Sequence, residues 1–260
     1  MLLALDIGNT ETTVGLFQGE QLLGHWRLTT TTARTPDEWG ALLSMYLTNA
    51  GHSPSGIRAV VVASVAPLVT QNVCGGVAVI TTVTPVQVDG RSELPITLDV
   101  AEPLTVGADR IVNTLAACTL FERDTIVVDF GTATTFDCIT KDRRFIGGII
   151  MPGIRTASDE LVRRTAKLPA TELTPPERVI GRRTEDCIRS GVIWGTVDAV
   201  DGLIRRIRAE WPTRGEPPYV VATGGLATLV APLTEEIETV QPDLTLVGLR
   251  LAAQALGLGW

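Results

Sequence analysis

Two aspartates, each followed by a glycine two residues later and then by a run of hydroxyls, could carry the chemistry of this 260-residue chain. The first stretch reads Asp6-Ile7-Gly8-Asn9-Thr10-Glu11-Thr12-Thr13, and the second Asp129-Phe130-Gly131-Thr132-Ala133-Thr134-Thr135. Glycine after a strand allows a sharp turn in which successive N–H groups point at one anion. Amide and hydroxyl side chains add neutral donors that suit phosphate oxygens. A carboxylate at the strand end repels phosphate but can hold Mg²⁺ or its waters. Residues 6–13 are thus a candidate phosphate loop, and Asp129 is a candidate cation ligand. Either stretch alone would read as a hairpin whose hydroxyls satisfy the turn backbone. Their repetition favours the ligand.

Three further stretches have suitable residue types. Gly107-Ala108-Asp109-Arg110 opens an apolar-faced helix, whose N-terminus favours anions while Arg110 offers a planar fork for carboxylate or phosphate. Asp109 is placed to meet a substrate hydroxyl, although for this stretch in isolation stabilisation of the helix dipole is the better account. Thr223-Gly224-Gly225 follows an apolar strand and would let the backbone lie flat against an adenine or ribose, or simply turn tightly. Thr184 looks like a helix cap, with Glu185 and Asp186 behind it.

The elements that must position these residues repeat. Strands are expected at 2–7, 12–18 and 21–28, then again at 124–129, 133–140 and 144–151. Gly24 and Gly147 fall at the same offset from Asp6 and Asp129, with no gap. Thr35-Pro36-Asp37-Glu38 is a helix start with a capping box, and the helix runs to about 49. The run 58–65 suits a strand covered on both faces. Pro67 opens a short helix, followed by short strands near 77–81, 85–88 and 95–99. Helices are expected at 107–121, 153–166, 184–210 and 245–257, with strands at 218–222 and 236–240. The expected architecture is α/β, two duplicated ribonuclease H-like domains with mixed sheets and a nucleotide cleft between them, divided as 1–114 and 115–260.

Composition excludes some classes. The formal net charge of −7 leaves no basic surplus for phosphate backbones, which argues against a nucleic-acid or anionic-membrane binder. Cys74, Cys118, Cys138 and Cys187 form no metal-ligand spacing, and His25 and His52 are too few for a histidine site. With no signal-peptide pattern and no apolar run of spanning length, the expected location is the cytoplasm.

The ordered set Asp6-Ile7-Gly8-Asn9-Thr10, Ala63-Ser64-Val65-Ala66-Pro67, Gly107-Ala108-Asp109-Arg110, Asp129-Phe130-Gly131-Thr132-Ala133-Thr134-Thr135, Gly147-Gly148-Ile149-Ile150-Met151-Pro152-Gly153 and Thr223-Gly224-Gly225 resembles type III pantothenate kinase. That family belongs to the acetate and sugar kinase, Hsp70 and actin superfamily. The resemblance implies phosphorylation of pantothenate by ATP, the first step toward coenzyme A. It implies that residues 6–13 and Thr132 bind ATP and that Asp109 takes the hydroxyl proton. Residues 107–110 and Thr184 would shape the pantothenate site. Mg²⁺ would accompany ATP, Asp129 would bind K⁺ or NH₄⁺, and the chain would form a homodimer. Val100 stands where many members carry an aromatic residue, and Glu11 places an acid beside the phosphate loop. Rival readings are a non-catalytic regulator on the same fold, or an ATPase or polyphosphate phosphatase.

Overall fold

A computed structural model describes residues 1–213 and 215–260. The chain divides into two compact units, Met1–Leu120 with Leu244–Trp260, and Phe121–Asp243. The first unit opens with β1 (Leu2–Ile7), β2 (Glu11–Gln18), β3 (Gln21–Thr29) and α1 (Pro36–Asn49). It continues through β4 (Ala59–Ser64), α2 (Pro67–Ile80), β5 (Val86–Val88), β6 (Thr97–Leu98) and α3 (Ala108–Leu120). The second unit holds β7 (Thr125–Phe130), β8 (Ala133–Thr140), β9 (Arg144–Pro152), α4 (Ile154–Arg164) and α5 (Thr184–Glu210). It ends with β10 (Tyr219–Thr223), α6 (Ala227–Val230) and β11 (Thr239–Val240), after which α7 (Leu244–Ala255) returns to the first unit.

The two units share one ribonuclease H-like topology. Strands of the first lie in the order β3-β2-β1-β4-β5, and those of the second in the matching order β9-β8-β7-β10-β11. In each, the first three strands pair antiparallel and the last two join in parallel. Apart from Asp6, β1 is apolar because both its faces are covered. Leu3, Leu5 and Ile7 pack with Trp39, Leu43, Val73 and Val77 of α1 and α2, while Leu2 and Ala4 pack with Ile111, Leu115, Leu246 and Leu249 of α3 and α7. In the second unit Ile126, Val128, Phe130 and Phe136 pack against Ile193, Val197, Val200 and Ile204 of α5.

The ungapped echo between the copies conceals two compensating changes. Asp6 pairs with Thr13, seven residues on, whereas Asp129 pairs with Thr135, six residues on. The glycine turn of the second copy is therefore one residue shorter. Its next turn is one residue longer, since Thr140 pairs with Arg144 where Gln18 pairs with Gln21. Arg143 takes a left-handed φ of 66° in that longer turn. The two changes cancel, and the third strands begin in step.

The division of units differs from the expected 1–114 and 115–260. Helix α3 belongs whole to the first unit, and α7 joins it because Leu246, Leu249 and Ala252 complete the core beneath β1 and β4. The strand expected at 77–81 is also corrected, because α2 runs on through Val77-Ala78-Val79-Ile80. Gly76 lets α2 lie against α1 so closely that a Cβ there would sit 2.5 Å from the Trp39 Cβ and 2.8 Å from the Gly40 nitrogen. Packing outweighs the strand propensity of the valines.

Candidate active site

Asp6 is half-buried near the end of β1, paired with Thr13 on one side and Ala63 on the other. The loop after it is partly closed on itself, because the Gly8 N–H donates to the Glu11 carbonyl at 3.0 Å. The same bond recurs from the Gly131 N–H to the Ala133 carbonyl, also at 3.0 Å. These two glycine N–H groups fix the turns rather than point at an anion, which corrects the simplest reading of the loop. Of residues 6–13, Asn9, Thr10 and Glu11 are exposed at the tip. The Ile7 side chain belongs to the core, and Thr12 is fully buried with its hydroxyl 2.8 Å from that of Thr30. Thr12 therefore braces the loop from behind.

The segment after β4 links this loop to the start of α3. The Val65 N–H donates to the Ile7 carbonyl at 3.1 Å, and Val65 Cγ1 lies 3.5 Å from where a Cβ on Gly107 would stand. Gly107 accepts the Ile111 N–H at 3.1 Å and begins the helix. Its missing side chain leaves room for Asp109, whose Oδ1 would lie 2.5 Å from a Cβ at Gly107. That oxygen accepts the Arg110 N–H at 2.8 Å. Burial pushes the Asp109 carboxyl above the ordinary aspartate range, against the pull of the Arg110 N–H and guanidinium. Ala108 is buried in the core below α3, so its side chain serves packing.

In the second unit Asp129 is half-buried near the end of β7, in register with Thr135 and Thr223. Gly224 has φ +90°, and a Cβ there would run into Asp129 Oδ1 and the Phe130 backbone. The Thr223 hydroxyl beside it is buried without a hydrogen-bond partner. A carboxylate with an unsatisfied neighbouring hydroxyl is a donor set that fits a hard cation. Thr132 is exposed at its turn, and its carbonyl accepts the Gly153 N–H at 3.1 Å and the Thr156 hydroxyl at 2.6 Å. A Cβ on Gly153 would strike the Gly131 and Thr132 carbonyls, so α4 begins directly against this turn.

Thr184 is not a cap. It is the first residue of α5 and is exposed, while Arg183 holds the capping position without a side-chain hydrogen bond. Thr223 was expected only as part of a backbone turn against an adenine or ribose, and Gly153 and Thr156 are not among the expected site residues. The glycine of Met151-Pro152-Gly153 was the available signal for the former, and Thr156 carries none. Among the described residues, no three His, Cys, Asp or Glu side chains converge on a common point. That is compatible with Mg²⁺, which takes one or two carboxylates and completes its shell with substrate phosphates and water.

The family model for type III pantothenate kinase matches residues 2–206. A type III pantothenate kinase of Thermomicrobium roseum is 43% identical over 256 residues, spanning 98% of each chain. One from Myxococcus xanthus is 43% identical over 253 residues, with 96% of this chain and 97% of the relative covered. Solved structures share the fold at lower identity. A Campylobacter jejuni protein provisionally described as a Baf family transcriptional activator aligns at TM-score 0.59 with 17% identity, over 97% of both chains. A Sinorhizobium meliloti protein provisionally described as a 2-dehydro-3-deoxygalactonokinase aligns at TM-score 0.58 with 14% identity, over 100% of this chain and 98% of its own. Among the described residues, no helix is long and apolar enough to cross a membrane.

Proposed function

Because the chain belongs to the type III pantothenate kinase family, which phosphorylates pantothenate with ATP in the first step of coenzyme A synthesis, we propose that Asp109 is its general base. The observation that carries this role is the environment of the carboxylate. It is partly buried at the head of α3 beside a glycine that makes room for it, and burial raises its proton affinity toward the working pH. In the proposed step the primary hydroxyl oxygen of pantothenate bonds to the γ-phosphorus of ATP. The bond from that phosphorus to the β,γ-bridging oxygen breaks, ADP leaves, and the hydroxyl proton passes to Asp109. Phosphoryl transfer depends on positioning and charge neutralisation more than on covalent help from the protein.

The remaining roles follow from each residue's setting. Residues 6–13 hold the ATP phosphates, with Asn9 and Thr10 presenting donors and Asp6 aiding the Mg²⁺ that accompanies ATP. Glu11 lies at the exposed tip, which is compatible with an outward-pointing acid. Gly107, Arg110 and Thr184 shape the pantothenate site, where the Arg110 fork suits the substrate carboxylate. Asp129, with Thr223 beside it, holds a monovalent cation, K⁺ or NH₄⁺, which offsets phosphate charge. Thr132 contacts ATP from a turn anchored to Gly153 and Thr156. The enzyme works as a cytoplasmic homodimer.

ADP release with MgATP, with and without pantothenate, in K⁺ and then in Na⁺, tests the reading. Release that requires both pantothenate and K⁺ is expected. Release without pantothenate would mean an ATPase, and equal rates in the two salts would remove the cation from Asp129.

A further inference from the structure

A recess of about 500 Å³ opens in the first unit beside the phosphate loop, and of the residues that line it only Asn9 has a role above. Asn9, Thr31, Arg34 and Asn72 give it a polar side, and Trp39 and Leu68 stand among its apolar walls. Arg34 is the single charged residue lining it. A recess lined by a cation and no carboxylate favours anions over cations, even in a chain of net charge −7.

Arg34 is held rather than neutralised. Its guanidinium donates to the Thr29 carbonyl and lies over the Trp39 ring at 5.2 Å from the centroid, and no carboxylate among the described residues pairs with it. The ring and the carbonyl fix its plane and leave most of its five N–H donors for a ligand. Two amides and a threonine hydroxyl around the same space add neutral donors. That set exceeds what the two oxygens of a carboxylate can take, and it matches the three terminal oxygens of a phosphate.

We propose that this recess is a binding site for a terminal phosphate dianion, with Arg34 as its charge and Asn9 as the residue it shares with the phosphate loop. The inference rests on the reading of residues 6–13 as that loop. Two sources have this chemistry: the γ-phosphate of bound ATP, and free phosphate.

Isothermal titration of inorganic phosphate into the full chain tests it, alone, with saturating MgADP, and with a saturating non-hydrolysable ATP analogue. Wild type should bind phosphate, and MgADP should leave that binding in place. Arg34→Gln should weaken phosphate about 10- to 100-fold, and Arg34→Lys less, while the affinity for MgADP stays at the wild-type value in both. Blockage by the ATP analogue would identify the phosphate as ATP's own, and coexistence would identify a free anion; either supports the site. Folded wild type that binds no phosphate, or Arg34→Gln that binds it as tightly as wild type, overturns the proposal. Arg34-dependent phosphate binding by a protein that takes up no MgADP would refute the phosphate-loop reading alone.

Discussion

Adding one methyl group at Gly107 should disable the proposed base while leaving the fold intact. A Cβ there would stand 2.5 Å from Asp109 Oδ1, where ordinary contact begins at 3.4 Å, so the carboxylate must retreat by about 0.9 Å. The other neighbour, Val65 Cγ1 at 3.5 Å, is already at an ordinary distance, and no left-handed φ is recorded for Gly107. The crowded atom is the end of a flexible side chain, so the backbone can stay where it is. A displacement of that size at a reacting group can cost ~10²-fold in rate, or about 2.7 kcal/mol of transition-state stabilisation. Gly107→Ala should therefore lower kcat for pantothenate by about 100-fold, with the melting temperature near that of wild type. Steady-state ADP release and a thermal melt on the same preparation check both halves. Turnover within threefold of wild type would refute the argued crowding. A low kcat with a collapsed melting temperature would show that the methyl group damages α3 instead.

Asp109→Asn should cut turnover by ~10²–10⁴ yet stabilise the protein at neutral pH. The raised pKa means that ionised Asp109 costs the fold energy; this cost is absent below the ordinary aspartate value of 3.8, grows as pH rises toward the folded pKa, and persists above it. A gain of about 0.5–2 kcal/mol at pH 7 that disappears below pH 3.8 is expected in denaturant titrations. Asp124 has the opposite sign. Burial raises its pKa, but donors from the Lys141 N–H, the Thr213 hydroxyl and the Trp211 indole, each at 2.8 Å, outweigh burial and hold it low. Its contribution is present above the ordinary aspartate pKa and lost as pH falls through the depressed one. Asp124→Asn should cost about 0.5–1 kcal/mol at pH 7, solvent screening at this partly exposed site holding the effect down, by urea unfolding followed by tryptophan fluorescence, and the gap should narrow in acid. In Gly248→Ala the new Cβ would strike the Val112 carbonyl and drive α7 from α3, costing about 1–3 kcal/mol in the same assay.

What was legible in the sequence was whatever a local rule controls. The capping box at Thr35 and Glu38 forms as expected, with the Glu38 carboxylate 2.7 Å from the Thr35 nitrogen. Helix α5 spans 184–210 as its apolar spacing required. The two strand triplets form where they were expected. What local rules missed was decided by partners distant in the chain. The valines ending α2 look like a strand until Gly76 is seen to admit α1. The inward turn of Thr12 depends on Thr30, and the anchoring of Thr132 depends on Thr156. Equal offsets from Asp6 and Asp129 suggested an ungapped repeat, because a deletion and an insertion that cancel leave no trace in spacing. Asp109 could be singled out by its neighbours, but not the crowding by Gly107, which exists only once α3 has folded.

Because α7 belongs to the first unit, that unit is covalently incomplete for most of the chain's synthesis. Leu2, Ala4 and Val61 emerge early, while Leu246, Leu249 and Ala252, which cover them, come after the whole second unit. At ~5–20 residues per second, the 140 residues from Phe121 to Trp260 take about 7–28 s to translate. The second unit, contiguous from Phe121 to Asp243, can close while the first still lacks the α7 part of the cover over one face of its sheet, α3 supplying the rest. The first unit, begun first, is therefore completed last, and the strip awaiting α7 is the apolar surface it leaves open until then.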